Sequence, residues 1–178
     1  LKAGDISFGI APKINASGRL GDASVGVRLL LSDDPHEIAE CCDSLIEANR
    51  ERRRLQDEAC ERGAAVLDDE LARGDFVIVE INDSHEGVLG IVAGKLREKI
   101  NRPVIVISRN GDTYKGTGRS IAGVDLYEML DKYRDRFISF GGHSAACGFT
   151  IDAGSMDALR KDLNRDIRHM LEVKPDLL

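Results

Sequence analysis

In Phe140-Gly141-Gly142-His143, two residues without side chains stand directly before a histidine, and the small residues Ser144-Ala145-Ala146-Cys147-Gly148 follow it. Such backbone can approach a phosphate closely, with amide N–H groups and an imidazole as donors. The same residues also make a tight turn around a hydrogen-bonded structural histidine, and spacing alone weighs the two readings evenly.

A second cluster is Lys115-Gly116-Thr117-Gly118-Arg119-Ser120. Arg119 could fork onto a phosphate while the glycines let a chain lie close. Taken alone, the plainer reading is favoured: glycines in a strand mark a bulge, and Arg119 faces water. A third, Ser84-His85-Glu86-Gly87, lies between a strand and a helix, where open α/β sheets bind ligands. His85 could meet a phosphate there, or the segment is an ordinary loop with Ser84 as helix cap. The dense basic run Asn49 to Arg54 is neutralised by Glu47, Glu51, Asp57 and Glu58 at helical spacings, as on a solvated helix face. No tight Asp and His cluster could hold a pair of divalent ions; Asp33-Asp34 and Asp68-Asp69 read as helix-end charges. The expectation is therefore no catalytic residue and no metal ligand in this chain.

Composition bounds what these clusters belong to. With 178 residues, 42% hydrophobic and 31% charged, the chain can build one core plus an appendage. No apolar run approaches the roughly 20 residues that span a bilayer, so no membrane partner is expected. The formal net charge of −6 excludes clinging to nucleic acid by bulk charge, so any such site must be local. Cys41, Cys42, Cys60 and Cys147 lack C-x-x-C spacing, which fits free thiols in a reducing cytoplasm. The opening Leu1-Lys2-Ala3-Gly4-Asp5 has neither an initiator Met nor a signal-peptide layout and reads as the start of an excised piece.

The elements that must position the clusters follow from periodicity. The glycine-rich first thirty residues suggest a loop and a short helix near Ala23 to Leu31. Asp34 as N-cap, Pro35 and Glu37 as a capping box start a long helix expected to run to about Leu71. That helix is polar nearly all round over residues 47–58, as expected of an interdomain connector. Residues 76–81 and 104–107 read as buried strands around a helix over 87–100, a parallel, right-handed βαβ unit. Asn110-Gly111 predicts a type I′ hairpin into an antiparallel strand over 113–120. Asp125 caps a short helix, residues 148–152 form a last strand, and Ser155 caps a final amphipathic helix. The fold class is α/β: a mixed β-sheet with a parallel βαβ unit flanked by helices, preceded by a long connector helix, with a boundary between residues 73 and 74.

Taken together, these residues resemble the RecJ branch of the DHH phosphoesterases. Residues 11–23 (APKINASGRLGDA) are similar to the segment leaving the catalytic domain in that branch. His85 to Ala93, then Gly118-Arg119-Ser120 with Asp125-Leu126, then Gly141-Gly142-His143 with Ala146 and Gly148, are similar to the DHH-associated domain. Lys13 stands where an Arg is expected, Ser84 replaces a frequent aromatic, and Cys147 replaces a small Ala. The resemblance implies the substrate-binding C-terminal part of a 5′-to-3′ single-stranded DNA exonuclease. Its manganese or magnesium would be held by an upstream DHH domain, so the fragment alone would be inactive. Residues 1–73 would be the end of the catalytic domain with the connector, and residues 74–178 the substrate-binding domain. The resemblance assigns phosphate contacts to Arg119, Ser120 and His143, a loop shaped by Gly141 and Gly142, and support from Gly118, His85 and Arg19. A related phosphoesterase acting on short oligonucleotides or cyclic dinucleotides, and a pure nucleic-acid-binding module, remain as alternatives.

Overall fold

The structure, a computed structural model, describes residues 1–177. The chain divides into two compact units, Leu1–Asp57 and Glu58–Leu178.

The first unit is helical. A π-helical segment, Asp5–Ile10, runs into α1 (Ala11–Leu20), followed by α2 (Ser24–Leu31) and the first part of α3 (Pro35–Ala65). The loop expected in the glycine-rich opening is thus helix. Packing outweighs the helical cost of glycine here: Gly26 of α2 lets Ile14 of α1 approach to 2.9 Å from where a Cβ would stand. Asp34 caps α3 by accepting from the His36 amide at 3.0 Å. Glu37 does not close the expected box; its carboxylate takes the Ser32 hydroxyl at 2.6 Å, and Ser32 Oγ accepts from the Asp34 amide. Further along α3 the polar run pairs with itself, as Glu47 with Arg50 and Glu51 with Arg54.

α3 stops at Ala65 rather than near Leu71, because Val66 (φ −104°, ψ 1°) leaves helical geometry before α4 (Leu67–Arg73) begins. The residues around this break belong to the core of the second unit. Gly63 lies against Ile81 and Leu96, Leu67 is buried, and Glu70 of α4 pairs with Arg160.

The second unit is built on five strands: β1 (Val77–Glu80), β2 (Val104–Asn110), β3 (Thr113–Arg119), β4 (Phe137–His143) and β5 (Ala146–Asp152). Their order is β1-β2-β3-β5-β4, with β1 and β2 parallel and every other pair antiparallel. This is the expected mixed α/β sheet, with helix α5 (Glu86–Ile100) as the βαβ crossover. The β2–β3 hairpin is shifted by one residue from expectation. Asn110 pairs with Thr113, so the turn is Gly111-Asp112, and only Gly111 (φ 59°) needs the left-handed region.

Alternation along the strands sorts side chains onto two faces. On one, α5 buries Val88, Leu89, Val92 and Leu96 over Val104 and Val106. The other carries the main core: Ile78, Ile105, Ile107, Phe149 and Ile151 pack against α6 (Leu126–Asp131) and α7 (Met156–Val173). Asp125 caps α6 through the Glu128 amide at 3.0 Å, whereas Ser155 makes no side-chain cap on α7. Among the described residues, no helix is long and apolar enough to cross a membrane.

β1 is an edge strand whose entry is tied down by one side chain. Asn164 of α7 accepts from the Phe76 amide and donates to the Phe76 carbonyl, both at 3.0 Å, and is itself buried. Asn164→Ala leaves both backbone groups unpartnered, at a cost of about 2–4 kcal/mol. Urea denaturation of the variant, compared with the parent chain, measures that loss; a change below about 0.5 kcal/mol excludes this role.

Candidate functional site

The three strands β3, β5 and β4 carry most of the candidate residues, and their pairing decides which of them meet. Arg119 pairs with Ala146, and Ala146 pairs with His143. Directly opposed residues of antiparallel strands point to the same side. Arg119, Ala146 and His143 therefore form one row across three strands, spanning roughly 10 Å between the outer backbones. The next rows on that face are Thr117 with Gly148 and Gly141, then Lys115 with Thr150 and Ser139. The face is polar, poor in side chains, and edged by α5.

The five glycines of these strands divide by function. A Cβ at Gly118 would stand 2.7 Å from Leu126, and one at Gly116 would strike the Phe149 ring. Both point into the core, so these two make room for packing and not for a ligand. A Cβ at Gly141 would meet nothing, and at Gly148 only the Gly116 carbonyl at 3.8 Å. Packing within the chain gives no reason for glycine at 141 and 148; their effect is a flat floor. Gly142 is different again: its φ of 147° and the Cys147 Cα, 2.6 Å from a would-be Cβ, demand glycine to bring β4 into the hairpin. The Gly-Gly-His motif is accordingly the end of an edge strand, and the turn itself is Ser144-Ala145.

Arg119 lies half-buried beside α5. Its Nη1 donates to the Gly118 carbonyl at 2.8 Å and to Thr117 Oγ1 at 3.3 Å, and a Cβ on Gly90 would stand 2.7 Å from Nη2. Gly90 and Thr117 thus seat the guanidinium, a role the spacing did not single out. The signal was present in Gly90, which sits on the sheet-facing stripe of α5 between Leu89 and Val92.

His85 and His143 share one arrangement. His143 is exposed, and its Nδ1 accepts from the Ala145 amide at 3.3 Å. His85, not Ser84, caps α5: its Nδ1 accepts from the Gly87 amide at 3.1 Å, while Ser84 Oγ accepts from Arg62 at 2.7 Å. A backbone donor on Nδ1 leaves the proton of each neutral ring on Nε2, facing outward as a donor.

Ser120 is buried; its hydroxyl donates to the Val124 carbonyl at 2.7 Å and its amide to the Ala145 carbonyl at 2.9 Å, so its first task is to hold the β3–α6 loop against the β4–β5 turn. That loop and turn, with Arg97, line a cleft of about 570 Å³. Beneath the row, Cys147 is buried, and burial pushes its thiol up to about 11. Arg19 lies exposed on α1, in the first unit. Among the described residues, no three His, Cys, Asp or Glu side chains cluster to hold a metal.

Donors arranged in this way can bind and orient an anion. Neutral-ring ¹⁵N spectra are expected to place the proton on Nε2 in both His85 and His143. An Nδ1–H signal for either ring contradicts the hydrogen bonding described for it.

The model of the DHHA1 domain matches residues 74–169. The single-stranded-DNA-specific exonuclease RecJ of Salmonella typhimurium is 32% identical over 97% of this chain, and that of Bacillus subtilis 34% over 89%. A crystal structure of RecJ in complex with Mn2+ from Thermus thermophilus superposes with a TM-score of 0.84 at 32% identity, over 94% of this chain and 25% of that one. The chain spans 31% of the Salmonella relative and 20% of the Bacillus one. With the family model covering more than half of its length, the chain belongs to the DHHA1 domain family.

Proposed function

We propose that this chain is the substrate-binding portion of a metal-dependent 5′-to-3′ exonuclease specific for single-stranded DNA. The observation that carries the reading is the row Arg119, Ala146, His143 on one open face of the sheet, beside the bare floor of Gly141 and Gly148. A guanidinium and an Nε2–H donor carried on backbones some 10 Å apart suit phosphates of one extended strand. Backbone without side chains lets sugars and bases lie close between them. Relatives that carry the name of single-stranded-DNA-specific exonuclease support the substrate class.

Within the proposal, residues 74–178 form the substrate-binding domain, and residues 1–73 are the end of the catalytic domain with its connector helix. Arg119 and His143 contact phosphate directly, His85 supports them, and Gly141 with Gly142 shapes the approach. Ser120 acts by fixing the loop and turn beside the row, Gly118 by admitting Leu126 beneath it, and Arg19 is proposed as a substrate contact within its own unit. Within this reading the hydrolytic metal, manganese or magnesium, is assigned to a DHH domain of the full-length protein; among the described residues, no three His, Cys, Asp or Glu side chains cluster to hold one. Four free cysteines suit a cytoplasmic location.

Fluorescence anisotropy with a 5′-phosphorylated oligothymidylate tests the reading. Arg119→Ala and His143→Ala should each weaken binding roughly tenfold, the value of one lost charge-assisted or neutral hydrogen bond to phosphate. Circular dichroism should remain that of the parent. Unchanged affinity in both variants removes the row from the binding site. The chain alone should degrade no DNA with added manganese; robust degradation contradicts the division of labour.

A further inference from the structure

β3 carries Lys115 on the same face as Arg119, four residues away, or roughly 14 Å along the strand. That distance exceeds one nucleotide repeat of a stretched single strand. Lys115 opens onto a small polar pocket of about 270 Å³ between the start of α5 and the β2–β3 hairpin. Ser84, Glu86, Ser108, Arg109, Asn110 and Lys115 line it, and Arg62 donates to Ser84 Oγ from its rim. Lys115 and Ser108 share one face of the hairpin, whereas Arg109 pairs with Tyr114 on the other and lays its guanidinium over that ring, so one ammonium and two serine hydroxyls face the pocket in a chain whose formal net charge is −6.

Only one carboxylate belongs to this lining. Glu86 takes a hydrogen bond from Lys115 Nζ at 2.6 Å, and that ammonium holds its carboxyl below the usual range. Both side chains remain about half exposed, at 47% and 64%, so solvent screens the pair and its separation costs little. A carboxylate paired this loosely to a lysine in a polar pocket is easily exchanged for a phosphate oxygen. Glu86 then keeps its place at the first turn of α5, where negative charge is favoured.

We propose that this pocket is a second phosphate subsite, in which Lys115 and the serine hydroxyls take a phosphate farther along the strand held at Arg119. Glu86 occupies Lys115 in its absence. The inference rests on the proposed reading of the Arg119 row and extends that row along β3 into a track with two anchored points. A strand long enough to reach both gains affinity over one that reaches only the first, which makes binding depend on length.

Anisotropy at low salt with the intact chain separates the two claims, using a 5′-phosphorylated dinucleotide and an octanucleotide of thymidine. Lys115→Ala should weaken the octanucleotide several-fold, leave the dinucleotide unchanged, and lower the slope of log affinity against log salt by about 0.7. Glu86→Gln should tighten the octanucleotide. Lys115→Ala without effect on the octanucleotide, while Arg119→Ala weakens it, overturns the second subsite and spares the row. An equal loss at both lengths reduces Lys115 to diffuse charge and also overturns it, as does weaker binding by Glu86→Gln. If Arg119→Ala changes nothing at either length, the row and the track fall together.

Discussion

The register of β3 against β5 is the constraint on which everything else in the second unit depends. It is held by Phe149 and Leu126, which fill the space that side chains at residues 116 and 118 would need. A slip of one residue would move every side chain of β3 to the other face. Lys115, Thr117 and Arg119 would then point at α6 and α7, and unpaired charge would enter the core. Because burying Arg119 that way is far costlier than any gain on the open face, the core polices the position of the functional residues. Packing on one side of the sheet thus sets the spacing of donors on the other.

That coupling explains which parts of the molecule are legible in the sequence. Apolar runs over residues 76–81 and 104–107 announce the central strands, since strands covered on both faces carry a continuous signal. The glycines are harder. Gly116 and Gly118 look like ligand-facing positions in one dimension, yet they serve Phe149 and Leu126, whose approach depends on pairing between strands distant in sequence. Gly141 and Gly148 carry the open floor, and only the register that sets them side by side separates them from the packing pair. The same holds for His85, whose capping of α5 displaces the conventional choice of Ser84. Serine at 84 is drawn off by Arg62, a partner 22 residues away. The helices of the first segment are obscured for a related reason. Its glycines read as breakers in one dimension, but tight contact of α1 with α2 rewards the absence of a side chain at Gly26.

Charge is distributed with the same economy. Many arginines of the chain are answered within a turn, as Arg50 by Glu47, Arg54 by Glu51 and Arg134 by Asp131, which leaves little field at a distance. Arg119 donates to Thr117 Oγ1 and the Gly118 carbonyl, acceptors on its own strand that orient the guanidinium along β3. The two histidines add directed donors that need no charge at all. An acidic chain can therefore present a short positive feature on one face while repelling polyanions elsewhere.

Such a surface favours position over grip. Bulk positive charge holds nucleic acid in many registers, because each phosphate is as good as the next. Fixed donors at Arg119 and His143, separated by the width of one intervening strand, would on the proposed reading accept a phosphate chain only where its spacing agrees. For a domain proposed to feed a strand to metals held elsewhere, that selectivity has a direct kinetic value. A strand held in one register presents the same bond for cleavage each time, and the orientation is established before the chemical step begins. Weak binding is then compatible with efficient turnover, since a strand held too tightly could not advance after each cut.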